Sequence, residues 1–269
     1  MKLSVSNIAW AGEDMAEYLG LLQKLGCHGV ELAPSCFWPE PIESSQEERS
    51  KLLQLIKHFN LEVTGFHALL YTRQDLQFFR DRSGLSQLIQ YLKQLIILCG
   101  ELGGKVLVFG SPRNRARNGR NYQECLAWAA EGFYDAAQEA KRCAVMLCIE
   151  PLPPKETDFI MNSKEGMNLV RLVNHDNFGL HLDAKAMAEA GEDFSIAFDG
   201  LGKEIKHFHV GDPGLTPPGS TGLDHKPIGA ALKRSGYDGF VSIEMRNGYG
   251  PPREVISKSV GYVKRCYLD

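Results

Sequence analysis

Four short stretches end on side chains able to hold a divalent cation or to move a proton. They are Glu150 in "LCIEP", Asp183 in "LHLDA", His209 in "HFHVG" and Glu244 in "VSIEM". Each closes an apolar, β-branched run, and strand side chains alternate between two faces. If Leu147 and Ile149 face one way, Cys148 and Glu150 face the other. The same phase sets His181 and Asp183 against Leu180 and Leu182, His207 and His209 against Phe208 and Val210, and Ser242 and Glu244 against Val241 and Ile243. A single acid at a strand end is ordinarily a capping or solvated residue. Four polar groups in phase on consecutive runs are expected to converge.

Three carboxylates clustered in one place would repel and raise one another's pKa. A divalent cation resolves that, and one nitrogen with three oxygens suits one ion of Mn²⁺, Mg²⁺, Co²⁺ or Zn²⁺. One step deeper, Cys148, His181, His207 and Ser242 are expected to form a floor, with His181 and His207 orienting the ligands above. His28, His58 and His175 fall on helix or loop segments and are read as surface or packing residues.

Eight apolar runs position these residues: 3–10, 29–34, 61–68, 105–112, 145–152, 178–185, 205–212 and 239–246. Helix-period segments fall at 14–25, 46–59, 85–102, 122–143, 164–174, 226–235 and 254–267. Glycine marks several returns to the next strand, as in "KLGCHGVEL" and "ELGGKVLVF", which is helix C-cap chemistry. This alternation predicts a (β/α)8 barrel over residues 1–269 as one α/β domain, with the chemistry at the C-terminal ends of the strands. A doubly wound open sheet would carry a glycine fingerprint after its first strand, and "NIAWAGED" has none.

Composition is that of an ordinary globular protein, 43% hydrophobic and 23% charged. A net charge of −3 gives no global reason to bind nucleic acid or an anionic membrane. No apolar run approaches the ~20 residues of a membrane span. "MKLSVSNIAW" enters a strand without a leader's apolar core, so a cytoplasmic location is expected. The seven cysteines show no paired spacing and are expected to be reduced.

On "GVEL", "IEPLPPKETDFI", "HLDAKA", "HFHVGD" and "GYDGFVSIE", the chain resembles the xylose isomerase-like TIM barrel superfamily along its whole length. That superfamily contains sugar isomerases, ketose 3-epimerases, hydroxypyruvate isomerase, inosose dehydratase and endonuclease IV. The ligand spacing is closest to the ketose 3-epimerases. The resemblance implies a metal site of Glu150, Asp183, His209 and Glu244, with the two glutamates moving a proton next to a sugar carbonyl through a metal-stabilised enediolate. It implies that Glu156 contacts substrate and that a homo-oligomer can form. Two positions depart from the pattern: Ala186 stands where that branch has a histidine, and Leu215 where it has an arginine. Both departures bear on substrate choice. A metal-dependent dehydratase of a cyclitol-like substrate is the alternative. An endonuclease IV-like phosphodiesterase and a non-catalytic barrel stand further off, since Gly110 and Ala186 occupy two places where the nuclease needs histidines.

Further substrate contacts are expected from His67, at the end of the third strand, and from Arg246, which could meet a hydroxyl or an anionic group. Trp10 and Phe37–Trp38 either stack on sugar faces or belong to the core. The loop "GSPRNRARNGR" reads as a solvated basic segment, with a substrate phosphate or carboxylate as the alternative. The Gly/Pro-rich segment 211–225 reads as a lid, in which Asp224 and His225 either join a hydrogen-bond network or cap the next helix.

Overall fold

Residues 1–199, 201 and 204–269 are described by a computed structural model. Eight parallel strands close into a barrel in strict chain order: β1 (Lys2–Ser6), β2 (Gly29–Leu32), β3 (Glu62–Phe66), β4 (Val106–Phe109), β5 (Met146–Ile149), β6 (Phe178–Asp183), β7 (Ile205–Val210) and β8 (Phe240–Ile243). β8 pairs back onto β1, Lys2 opposite Phe240, so no strand edge is left open. The outer ring is α1 (Met15–Lys24), α2 (Gln46–His58), α3 (Arg82–Glu101), α4 (Tyr122–Arg142), α5 (Ser163–Val173), α6 (Ala184–Ala190), α7 (Phe194–Phe198), α8 (His225–Arg234) and α9 (Pro252–Val263). The expected (β/α)8 barrel is therefore the fold. No helix among the described residues is long and apolar enough to cross a membrane.

Period two divides the strands into two faces. Outward side chains such as Leu3, Val5, Leu147, Ile149, Leu182, Phe208 and Ile243 pack under the helices in the main core. Val106, Val108 and Cys148 form a separate small cluster, and many of the other interior positions are polar: Ser4, Glu31, Thr64, His181, His207, His209 and Ser242 are all buried. Around the outside, Asp14, Asp81, Asn121, Asn162 and Asp224 each accept from first-turn amides of the helix they precede, a contribution of about 1 kcal/mol apiece.

Every strand stops two to four residues short of its apolar run, and at two of them a cap sets the end. β1 stops at Ser6, whose Oγ accepts from the Ile8 amide and starts a 3-10 turn. β6 stops at Asp183, which caps α6 directly. The alternating phase of "HLDAKA" had extended this strand to 185, but alanine-rich "AKAMAEA" is a strong helix former once an aspartate precedes it.

Segment 211–225 is tied down from beneath. The Asp212 carboxylate accepts from the Gly219 amide (2.9 Å), the Thr221 amide (2.7 Å) and the Thr221 hydroxyl (2.8 Å). His225 Nε2 donates to the same carboxylate at 2.8 Å, and its Nδ1 accepts from the Tyr267 hydroxyl at 2.7 Å. Burial raises the Asp212 pKa, but these donors outweigh it and hold the carboxyl below its ordinary value. His225 thus joins a network while Asp224 caps α8.

Helix and barrel meet at Phe133 of α4, whose ring lies 5.0 Å from Phe78, 5.1 Å from Phe109 and 5.0 Å from Phe178. Phe133→Ala should lower unfolding stability by about 3–5 kcal/mol, read as a reduced denaturation midpoint at unchanged slope.

Candidate metal centre

Glu150 is the first residue beyond β5, Asp183 the last of β6, His209 the fifth of β7 and Glu244 the first beyond β8. One donor atom from each of Glu150, His209 and Glu244 lies within 4.8 Å of the other two. Glu150, Asp183 and Glu244 line a cavity of about 420 Å³ at the C-terminal mouth of the barrel. His209 is buried behind them, with Nδ1 3.1 Å from Glu244 Oε2. Asp183 stands apart from the tight trio, accepting from the backbone amides of Lys185 (2.9 Å) and Ala186 (3.3 Å). Gly110 closes one side, where a Cβ would collide with the Glu150 carboxylate.

Electrostatics make this a candidate site for a cation. Burial, then the Glu244 charge, raises the Glu150 pKa. Burial, with Glu244 and Glu150 behind it, pushes Asp183 up to about 8. Burial works against Glu244 ionising too, yet His209 and His67 outweigh it and hold Glu244 well below the carboxylate range. No lysine or arginine side chain hydrogen-bonds to these three carboxylates among the described residues. Three oxygen donors and one nitrogen at strand ends, two of them reluctant to ionise, fit a hard or borderline divalent cation.

The groups holding these side chains come from the first three strands. His67, just past β3, places Nδ1 3.0 Å from Glu244 Oε1 and Nε2 2.5 Å from Ser6 Oγ. Glu31 of β2, fully buried, accepts from His207 Nε2 at 3.0 Å and from His209 Nε2 at 3.0 Å. A carboxylate can only accept, so Glu31 claims the Nε2 proton of His209 and leaves Nδ1 turned toward Glu244 and Glu150. Burial disfavours the Glu31 charge, but His209 and His207 reverse this and keep it well below the usual range. Sequence reasoning missed Glu31, although period two between outward Val30 and Leu32 marks it as inward.

His181 lies beneath, with Nε2 3.6 Å from Glu150 Oε1 and its ring 4.1 Å from that of His209. Burial, reinforced by His209 and His207, keeps it neutral, and neither ring nitrogen has a hydrogen-bond partner among the described residues.

The other residues singled out from the sequence divide between cavity and core. Glu156 and Arg246 line the cavity, and Glu156 is ion-paired to Lys185, which also meets Glu189 at 3.1 Å. Trp10 does not line it. Its ring is buried and stacks on Tyr18 at 5.5 Å and 10°, so the core alternative applies. Trp38 is likewise in the core, with Phe37 packed against it. The arginine loop is more structured than a solvated segment: Arg115 is buried with Nη1 on the Glu150 carbonyl at 2.8 Å, Arg117 pairs with Asp158, and Arg120 with Glu124. Main-chain carbonyls satisfy much of what had looked like unpaired charge.

A family model for the xylose isomerase-like TIM barrel matches residues 19–266, and the chain belongs to that family. It is similar to the D-psicose 3-epimerase of Ruminiclostridium cellulolyticum, with 30% identity over 116 residues, 43% of this chain and 40% of that protein. That alignment spans less than half the length of either protein. Among solved structures, the D-psicose 3-epimerase from Clostridium cellulolyticum H10 superposes with a TM-score of 0.84 at 19% identity, covering 99% of both chains. The 3-keto-D-glucoside 4-epimerase from E. coli gives 0.81 at 18% identity, over 99% of this chain and all of that one. At such identities the structures share the fold.

The raised Asp183 pKa has a measurable sign. The folded protein holds a proton there that the unfolded chain releases, so this contribution to stability is present at low pH and is lost as pH rises from about 4 to about 8. Asp183→Asn removes the titration. In chelator, the variant should gain thermal stability relative to the wild type across that range, and a gap that stays constant with pH would contradict the assignment.

Proposed function

We propose that the protein is a divalent-metal-dependent isomerase or epimerase of sugars or sugar derivatives, moving a proton on the carbon next to a carbonyl by way of an enediolate. The observation that carries this reading is the convergence of Glu150, His209 and Glu244 within 4.8 Å, beside Asp183, with no lysine or arginine hydrogen-bonded to these carboxylates among the described residues. The named activities of the relatives, 3-epimerases and a hydroxypyruvate isomerase, support it.

Glu150, Asp183, His209 and Glu244 would hold the metal. A divalent cation held there would supply Lewis-acid polarisation of the substrate's carbonyl. Glu150 and Glu244, entering the cavity from different strands, serve as the acid/base pair, one taking the proton and the other returning it. Return to the other face of the same carbon gives epimerisation, and return to the next carbon gives isomerisation. Such positioned proton transfer contributes about 10²–10⁴-fold. His67 fixes Glu244 through Oε1, and Glu31 fixes the His209 tautomer. Glu156 and Arg246, which line the cavity, would meet substrate oxygens.

The test is solvent deuterium exchange into candidate ketoses in D₂O with the Mn²⁺-loaded protein. Exchange should be abolished by chelation and reduced by about 10²-fold or more in Glu150→Gln and Glu244→Gln; full turnover in either variant refutes the reading. Glu31→Gln should weaken Mn²⁺ binding by about 10–100-fold while the barrel stays folded, measured by calorimetric titration.

A further inference from the structure

The cavity above the carboxylates is charged unevenly from floor to rim. Most of its charged groups have partners within the chain: Glu244 has His67 and His209, Asp183 has two backbone amides, and Glu156 has Lys185. Lys185 is itself shared with Glu189. Two guanidinium groups are different. Arg113 and Arg246 line the same cavity, are exposed, and have no ion pair with an acidic side chain among the described residues. The other cavity cation is neutralised, and these two are not.

Their backbones are held rigidly with respect to the centre. Arg113 sits in the 3-10 turn Pro112–Arg115, which follows Ser111 in the left-handed region at φ 40°. The residues after it are anchors: Asn114 Nδ2 donates to the carbonyls of Arg73 (2.8 Å) and Leu76 (2.7 Å), and Arg115 Nη1 donates to the carbonyl of Glu150 (2.8 Å). The turn bearing Arg113 is thus tied to the main chain of Glu150. On the opposite wall, Arg246 lies two residues past Glu244, and its amide donates to the Leu215 carbonyl at 2.8 Å. Each arginine is spaced from one of the two glutamates by a short, anchored stretch of backbone.

We infer that the rim is a subsite for an anionic group, a phosphate or a carboxylate, at the end of the substrate remote from the reacting carbonyl, with Arg113 and Arg246 as its partners. Guanidinium groups suit either oxyanion through paired N–H donors. The substrate class is then an acidic polyhydroxy carbonyl compound rather than a neutral sugar. This rests on the proposed reading of the floor as a metal centre for carbonyl substrates.

Calorimetric titration of the Mn²⁺-loaded full chain with D-fructose, D-fructose 6-phosphate and D-fructuronate tests it. One or both charged probes should bind about tenfold or more tightly than D-fructose, and which one does so separates phosphate from carboxylate. Direct capture of the anion by the metal would give the same ranking, so Arg113→Gln, Arg246→Gln and the double variant are titrated in parallel. The charged-to-neutral ratio should fall in each and collapse in the double variant. A ratio near one in the wild type, a ratio that survives in the double variant, or no binding by any probe overturns the inference. Deuterium exchange on the same samples keeps the two readings separable. Exchange into D-fructose without a charged preference sinks the anionic subsite alone, whereas a charged preference without exchange on any probe sinks the proton-transfer reading alone.

Discussion

The mutual repulsion of Glu150, Asp183 and Glu244 is the constraint around which the rest of the barrel mouth is arranged. Carboxylates crowded into a space with little water raise one another's energy. A fold that presents them together needs positive charge from a bound ion, from protons, or from nearby bases. Among the described residues, the bases in direct contact with these carboxylates are histidines, with Arg115 and Lys185 acting from further off. His209 and His67 both reach Glu244, which is why this residue stays ionised while Glu150 and Asp183 resist ionisation.

The two halves of the barrel divide the work. β5 to β8 supply the groups that can hold an ion. Ser6, Glu31 and His67, from the β1 to β3 side, supply the hydrogen bonds that orient them. Glu31 is the most committed of these, because a buried carboxylate is stable only while its donors remain. Its two imidazole partners fill that need, and the imidazole ring of His209 carries the constraint on to Glu244.

Much of this was legible in local sequence, and the reasons for the rest are physical. The inward phase of Glu150, Asp183, His209 and Glu244 follows from a two-residue repeat, which needs only a few neighbours to be read. The place of Glu31 depends on partners in β7, far along the chain, and no local pattern records them. The end of β6 was misplaced because alternation and helix propensity overlap in "HLDAKA", and the cap decides between them. Arg115 looked like one more solvated charge because its acceptor is the main chain of Glu150, and a carbonyl oxygen leaves no trace in residue type. Trp10 had two readings of equal standing, and stacking on Tyr18 selects the core.

Closure of β8 onto β1 brings together residues more than two hundred positions apart along the chain. Contacts so distant carry a large loop-closure cost and tend to form late. The orienting groups and the ion-holding groups lie on opposite sides of that gap, so a partly folded intermediate lacking the closure would carry the acids without the partners that arrange them. If the centre takes a cation as proposed, its affinity should emerge with the last step of folding, making metal uptake by a refolding sample a natural clock for barrel completion.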